Sequence, residues 1–250
     1  MRDVVDDDAR TSIYSHTSMN LRPLSILLAS CFLVSCASTS PETATMTKDA
    51  QQATTPSQAL KKLKDGNARF VSGRTVNRNL TAQVKDTAKG QYPFATVVSC
   101  LDSRTSTELL FDQGIGDVFN ARVAGNVVNP DIIGSLEFGS KAAGAKLIAV
   151  VGHTACGAVK GACDHVELSA NLSGLLDRIE PAVKKTPTVG GDRSSKNSTF
   201  VDNVAENNVR LAMANIRQKS PILRDMERKG EIAIVGGMYD LETGKVSWLD

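Results

Sequence analysis

Two short segments carry side chains that could hold a metal ion: Cys100-Leu-Asp102-Ser-Arg104 and, further along the chain, His153-Thr-Ala-Cys156. Two thiolates and one imidazole are a donor set that suits Zn²⁺, and three protein ligands leave a tetrahedral ion one open position. That open position separates a catalytic zinc from a structural one. A closed site would need a fourth protein ligand, and Asp102 is the nearest candidate. Asp102 and Arg104 lie two apart, so in an extended segment both side chains point the same way. They read as an acid and a base beside the metal. The alternative is two buried cysteines and a satisfied core histidine. The His-x-x-Cys spacing weakens it, because those two side chains can converge on one ion.

The elements around these segments place them at strand ends. Phe94-Ala-Thr-Val-Val-Ser is a short β-branched apolar run that predicts a buried strand delivering Cys100 at its carboxyl end. Asp117-Val-Phe-Asn-Ala predicts a second strand, and Asn129-Pro130 caps a helix to about Ala143. Lys146-Leu-Ile-Ala-Val-Val-Gly predicts a third strand, ending at His153. Pro56 suits a first helical position, with Leu60, Leu63 and Phe70 at helical spacing behind it. Further helices are expected over 80–88, 155–163, 170–183 and 200–218, with a Gly/Ser/Thr/Lys-rich loop over 186–198. Two final strands, within 231–240 and 245–249, are joined by a turn at Glu242-Thr-Gly244. Strands alternating with helices predict an α/β fold with a mostly parallel central sheet flanked by helices, whose sites gather at the carboxyl ends of the strands.

With 250 residues, 41% hydrophobic and 22% charged, the chain can bury one sizeable core. A net charge of +2 without a basic, aromatic-interleaved patch argues against nucleic acid. The five cysteines form no disulfide framework: Cys31 and Cys36 lie in an apolar N-terminal stretch, Cys100 and Cys156 in the proposed site, and Cys163 alone. Leu24 to Val34 is an apolar run preceded by Arg22, the layout of a secretory signal and too short to span a bilayer. Residues 1–18 fit no signal, and Met19-Asn-Leu-Arg22 makes the better start. The run ends in Leu33-Val34-Ser35-Cys36, which resembles the lipobox of bacterial lipoproteins, with Cys36 as the lipidated residue. An ordinary cleaved signal is the alternative. Lipidation implies several acyl chains and stable anchoring, and Ala37 after the cysteine favours the outer membrane. The expected location is the periplasm, with membrane contact only through the lipid anchor. Residues 37–55 are Ser/Thr/Ala/Gln-rich and predict a flexible tether. The resulting organisation is 1–36 extension, signal and lipobox, 37–55 tether, and 56–250 catalytic domain.

Cys-x-Asp-x-Arg followed by Gly-His-x-x-Cys-Gly resembles the signature of the β-class carbonic anhydrases. The resemblance extends over residues 56–250, through Gly66-Asn67-Ala-Arg69-Phe70, Arg122-Val-Ala-Gly125-Asn126, Ser135-Leu-Glu137-Phe138 and Gly237-Met-Tyr239-Asp240. It implies that Cys100, His153 and Cys156 are zinc ligands and that Asp102 and Arg104 form a catalytic dyad. It implies reversible hydration of carbon dioxide to bicarbonate and a proton by zinc-bound hydroxide that the dyad orients. Gln91, Phe119, Phe138 and Gly157 match substrate-pocket positions of the plant-type members; Phe138 stands where tyrosine is frequent, which removes one hydroxyl. A subset of the family uses a tryptophan three residues before the first cysteine to lock a closed site. Val97 stands there, so the expectation is a site open at neutral pH. The resemblance also implies a homodimer or higher homo-oligomer with the pocket at the subunit interface, Gln91 serving the partner's zinc.

Two other readings use the same residues: a hydrolase of another linear cumulated molecule such as carbon disulfide, and a non-catalytic zinc-binding lipoprotein. The second has no need of Asp102 and Arg104. His165 reads as a surface histidine rather than a proton shuttle, Cys163 as a small buried hydrophobe, Asp164 and Glu167 as a solvated face, and Trp248 as core or interface.

Overall fold

The computed structural model describes residues 43–188 and 190–249. Among them the chain runs through α1 (Lys48–Ala53), α2 (Pro56–Val71), α3 (Leu80–Thr87), β1 (Ala95–Ser99), α4 (Thr107–Leu110), β2 (Val118–Arg122), α5 (Pro130–Glu137) and β3 (Leu147–His153). It continues through α6 (Gly157–Cys163), α7 (Ala170–Leu176), α8 (Glu180–Lys185), α9 (Ser198–Lys219), α10 (Pro221–Arg228), β4 (Ala233–Tyr239) and β5 (Val246–Leu249). The signal, the lipobox and Cys36 lie outside the described residues. No described helix is long and apolar enough to cross a membrane.

The five strands form one sheet in the order β2-β1-β3-β4-β5, parallel except for the last pair. β1 and β3 are buried along their whole length, as their unbroken apolar runs require of strands covered on both faces. Their side chains alternate between two cores. Val98, Ile148 and Val150 pack with Leu136, Val209, Ile216 and Leu223 from α5, α9 and α10. Ala95, Val97, Leu147, Ala149 and Val151 pack on the opposite face with Ala59 and Leu63 of α2 and with Phe111. A third cluster, built on Phe200, Val201, Val204 and Ile179, surrounds Cys100 and Cys156.

The helix starts follow side-chain chemistry. Thr55 and Gln58 form a reciprocal capping box ahead of Pro56, and Asn129 and Asn197 cap α5 and α9. Three expectations are corrected. The stretch expected as tether contains α1, whose polar composition does not stop it docking: Gln51, buried, donates through Nε2 to the carbonyls of Pro93 at 2.7 Å and Ala143 at 2.9 Å. The helix expected over 170–183 is two helices, because Pro181 lacks an N–H and clashes with the carbonyl four residues back. Pro181 is instead accommodated in the first turn of α8. Finally, α5 widens after Glu137 into a π turn over Phe138–Ala142.

Candidate metal centre

Cys100 follows the last residue of β1, His153 is the last residue of β3, and Cys156 caps the start of α6. The parallel pairing aligns Ser99 with Val151, so both ligand segments emerge from neighbouring strands on the carboxyl edge. The turn between them and α6 brings Cys156 back over that edge. One ligand atom from each of the three residues lies within 4.8 Å of the others. Cys100 is 5% exposed, and His153 and Cys156 are 1% exposed.

The histidine is oriented for ligation. His153 Nδ1 lies 2.9 Å from the Thr154 carbonyl oxygen, which can only accept, so Nδ1 carries the proton. That leaves a lone pair on Nε2, which is buried and has no hydrogen-bond partner. A buried orphan acceptor beside two sulfurs is costly unless a cation covers it. The two sulfurs are 4.0 Å apart. Hydrogen bonding from Cys156 outweighs burial and, with the backbone of Asp102 and Gly125, holds the Cys100 thiol well below its ordinary value. Sharing with Cys100 and burial push the Cys156 thiol up. The two sulfurs thus favour one shared proton between them, and a divalent cation bound to both would displace that proton to solvent. The donor set and its protonation fit such an ion.

Two backbone positions at the centre are left-handed. Gly125 (φ 66°) donates its N–H to Cys100 Sγ at 3.3 Å, and a Cβ there would sit 2.7 Å from Ile179 Cδ1. Ala155, between His153 and Cys156, has φ 53°, a conformation that costs an L-residue roughly 1 kcal/mol. Two α9 side chains reach these positions: Asp202 Oδ1 accepts from the Ala155 N–H at 2.8 Å, and Asn208 Nδ2 donates to the Gly125 carbonyl at 2.7 Å. Nothing local in the sequence marks Asp202 or Asn208. Only their position within a long helix beside the site distinguishes them.

Arg104 binds Asp102 through Nε to Oδ1 at 2.9 Å and Nη2 to Oδ2 at 2.7 Å. The Arg104 hydrogen bond holds the Asp102 carboxyl well below the usual carboxylate range. Asp102 Oδ2 lies 3.9 Å from His153 Nε2, so the pair sits beside the ligand atoms. Arg122 fixes the loop between them, donating to the carbonyls of Cys100 at 3.0 Å and Asp102 at 2.6 Å, and Thr105 Oγ1 donates to the same two carbonyls.

The sequence-predicted pocket residues do not all join this cluster. Gly157 opens α6 directly after Cys156, with open space where a Cβ would be. Phe119 pairs in register with Thr96, four residues before Cys100, which puts it about 13 Å back along the strand direction. Phe119 meets Phe138 edge-on at 6.3 Å between ring centroids, and Phe138 is 59% exposed. Gln91 lies exposed in the loop entering β1. Phe119 and Phe138 therefore meet toward the strand starts, away from their own chain's Cys100. Cys163 is buried, His165 is exposed at the end of α6, and Trp248 stacks on Phe111 at 6.0 Å.

A sequence model of the family described as carbonic anhydrase matches residues 95–246. The chain is 35% identical over 196 residues to a carbonic anhydrase of Mycolicibacterium smegmatis, covering 76% of this chain and 92% of that one. It is 34% identical over 197 residues to carbonic anhydrase 2 of Mycobacterium tuberculosis, covering 77% and 92%. Among solved structures it resembles the β-carbonic anhydrase CafA of Aspergillus fumigatus, with a TM-score of 0.58 and 26% identity over 78% of this chain and 90% of that one.

Proposed function

The chain belongs to the β class of the carbonic anhydrase family, and from that membership we propose that it hydrates carbon dioxide reversibly with zinc held by Cys100, His153 and Cys156. The observation that carries the zinc assignment is the buried triad, with an unpartnered His153 Nε2 facing two sulfurs. Bound zinc supplies Lewis acidity toward water, for which carbonic anhydrase itself is the standard example.

The chain's own residues do the rest. Asp102 stays ionised because Arg104 donates to both its oxygens. Oδ1 already accepts two hydrogen bonds from Arg104, but Oδ2 accepts one, keeps a further lone pair and lies 3.9 Å from His153 Nε2. In that role Asp102 accepts a hydrogen bond from the nucleophile and aims it at the carbon of carbon dioxide. Because it is held so strongly ionised, it does not retain the proton, which leaves for solvent. An Asp102 committed to Arg104 supports the reading of an open site, with Asp102 outside the ligand set.

The placement of Gln91, Phe119 and Phe138 supports a homodimer or larger homo-oligomer in which they line the pocket of the neighbouring subunit. Mixing a Gln91→Ala chain with a Cys156→Ser chain would then restore one intact pocket per heterodimer and part of the activity. Export and acylation at Cys36, with the folded domain carried at the periplasmic face of the outer membrane, complete the proposal. Labelled palmitate entering the wild-type chain but not Cys36→Ser checks the last point.

The decisive experiment is stopped-flow carbon dioxide hydration across pH, with metal analysis on the same sample and carbon disulfide as a second substrate. The reading expects one zinc per chain and hydration of carbon dioxide that Asp102→Ala abolishes. A chain lacking zinc, or an Asp102→Ala variant with unchanged rate, would overturn it.

A further inference from the structure

Both halves of the metal centre are tied to one helix. Asp202, near the start of α9, accepts from the Ala155 amide, and Asn208, 2% exposed, donates to the Gly125 carbonyl. Gly125 in turn donates its amide to Cys100 Sγ. Between the two side chains, Val204 and Ala205 of α9 are buried in the cluster that contains Cys100 and Cys156.

We propose that Asp202 and Asn208 are positioning residues for the metal centre, Asp202 setting the His153-to-Cys156 turn and Asn208 setting the amide that faces Cys100. The inference rests on reading the triad as a metal site. His153 and Cys156 are separated by two residues, and the second, Ala155, holds a φ of 53° that alanine leaves readily. A return to an extended or right-handed conformation would rotate Cys156 away from His153. Metal–sulfur and metal–nitrogen distances tolerate displacements of only about 0.2 Å. The hydrogen bond at 2.8 Å from Ala155 to Asp202 opposes that rotation, and the bonded carboxylate comes from a 22-residue helix packed on the sheet. On the other side, Gly125 cannot be replaced by a residue that would make its own side-chain anchor, because Ile179 fills the space. The Asn208 amide holds that loop from outside it.

The test uses the full chain with Asp202→Ala, Asp202→Asn, Ala155→Gly, the Asp202→Ala/Ala155→Gly pair, and Asn208→Ala. Zinc affinity is read by chelator competition, and the cobalt(II)-substituted proteins are compared by their thiolate charge-transfer bands. Melting of the zinc-free forms separates folding from metal binding. Asp202→Ala and Asn208→Ala are each expected to weaken zinc binding about tenfold or more and to shift the cobalt bands, as loss of residues that orient ligands does. Asp202→Asn, which keeps the acceptor oxygen, should recover most of the affinity. Ala155→Gly should shrink the penalty of Asp202→Ala, because glycine adopts a positive φ without strain. If Asp202→Ala and Asn208→Ala, folded when zinc-free, bind zinc within twofold of wild type with unchanged cobalt spectra, the proposal is wrong while the metal reading stands. Equal losses in Asp202→Asn and Asp202→Ala would remove the role given to Asp202. A wild-type chain with no zinc affinity would sink the metal reading and this inference together.

Discussion

Arg104 holds Asp102 in a two-pronged grip, Nε on Oδ1 and Nη2 on Oδ2, and adds its own backbone N–H to Oδ1 at 2.9 Å. The geometry needs a planar guanidinium. Lysine offers one point charge and cannot fix the carboxylate plane. Arg104→Ala should lower kcat/KM for carbon dioxide hydration about 10- to 100-fold, Arg104→Lys should recover little of it, and zinc content should stay at wild-type level. Stopped-flow rates beside metal analysis check all three.

Removing the metal should silence the enzyme and also soften the fold around it. Cys100, His153 and Cys156 are buried, and without a cation the sulfurs must share a proton while His153 Nε2 stays unpartnered. A ligand bound only to the folded state stabilises by mass action, about 4 kcal/mol when present at a thousand times its Kd. Dialysis against a chelator should therefore lower Tm and abolish hydration, and zinc should restore both. Cys156→Ser should resemble the chelated protein and not respond to added zinc. A Tm unmoved by chelation would contradict this.

Asp112 is the buried charge on which the opposite face depends. Its carboxylate receives Arg69 and Arg78 together with the Val76 amide, and its side chain is 4% exposed. Burial alone would raise its pKa, yet the hydrogen bonds from Arg69 and Arg78 win and hold it below the ordinary value. Asp112→Asn leaves two guanidinium groups without their anion and should cost about 3 kcal/mol, roughly 10 °C in Tm for a domain of this size. A folded-state pKa below the unfolded one gives stability that is present above the unfolded value of about 4 and is lost as pH falls through the folded value. The gap between wild type and variant should stay constant from neutral pH down to about pH 4 and close below it. Denaturant melts at several pH values read the gap directly.

Two helical glycines should respond in opposite directions to the same change. A Cβ on Gly66 in α2 would lie 1.8 Å from the Phe111 carbonyl oxygen, which belongs to the backbone and cannot swing aside. At Gly134 in α5 a Cβ meets nothing within 4 Å. Gly134→Ala should stabilise by up to about 1 kcal/mol through helix propensity, whereas Gly66→Ala should destabilise by about 3 kcal/mol as α2 is forced off the sheet. Equal effects at the two sites would show that propensity, not contact with Phe111, governs Gly66.

The local signals read well from the sequence because each depends on near neighbours. The apolar runs before Cys100 and His153 could only be buried strands, and the Asn129-Pro130 pair starts a helix where it should. The break at Pro181 was readable too, since proline's missing N–H is a local fact, although a helix through 170–183 was the expectation. α1 was not readable. Its anchor is one glutamine whose partners, the Pro93 and Ala143 carbonyls, are far along the chain.

The chemistry of the centre was likewise fixed by residue type: two sulfurs, one imidazole, and an acid two residues from a base. Only the tertiary structure decided that Cys100, His153 and Cys156 share one point while Phe119 and Phe138 meet toward the other end of the strands. The same is true of Asp202 and Asn208, ordinary polar residues in sequence that matter because α9 crosses behind both ligand loops. Side-chain type sets what a group can donate, accept or ligate. Which groups meet is set by pairing and packing between segments remote in sequence, and no local pattern encodes that.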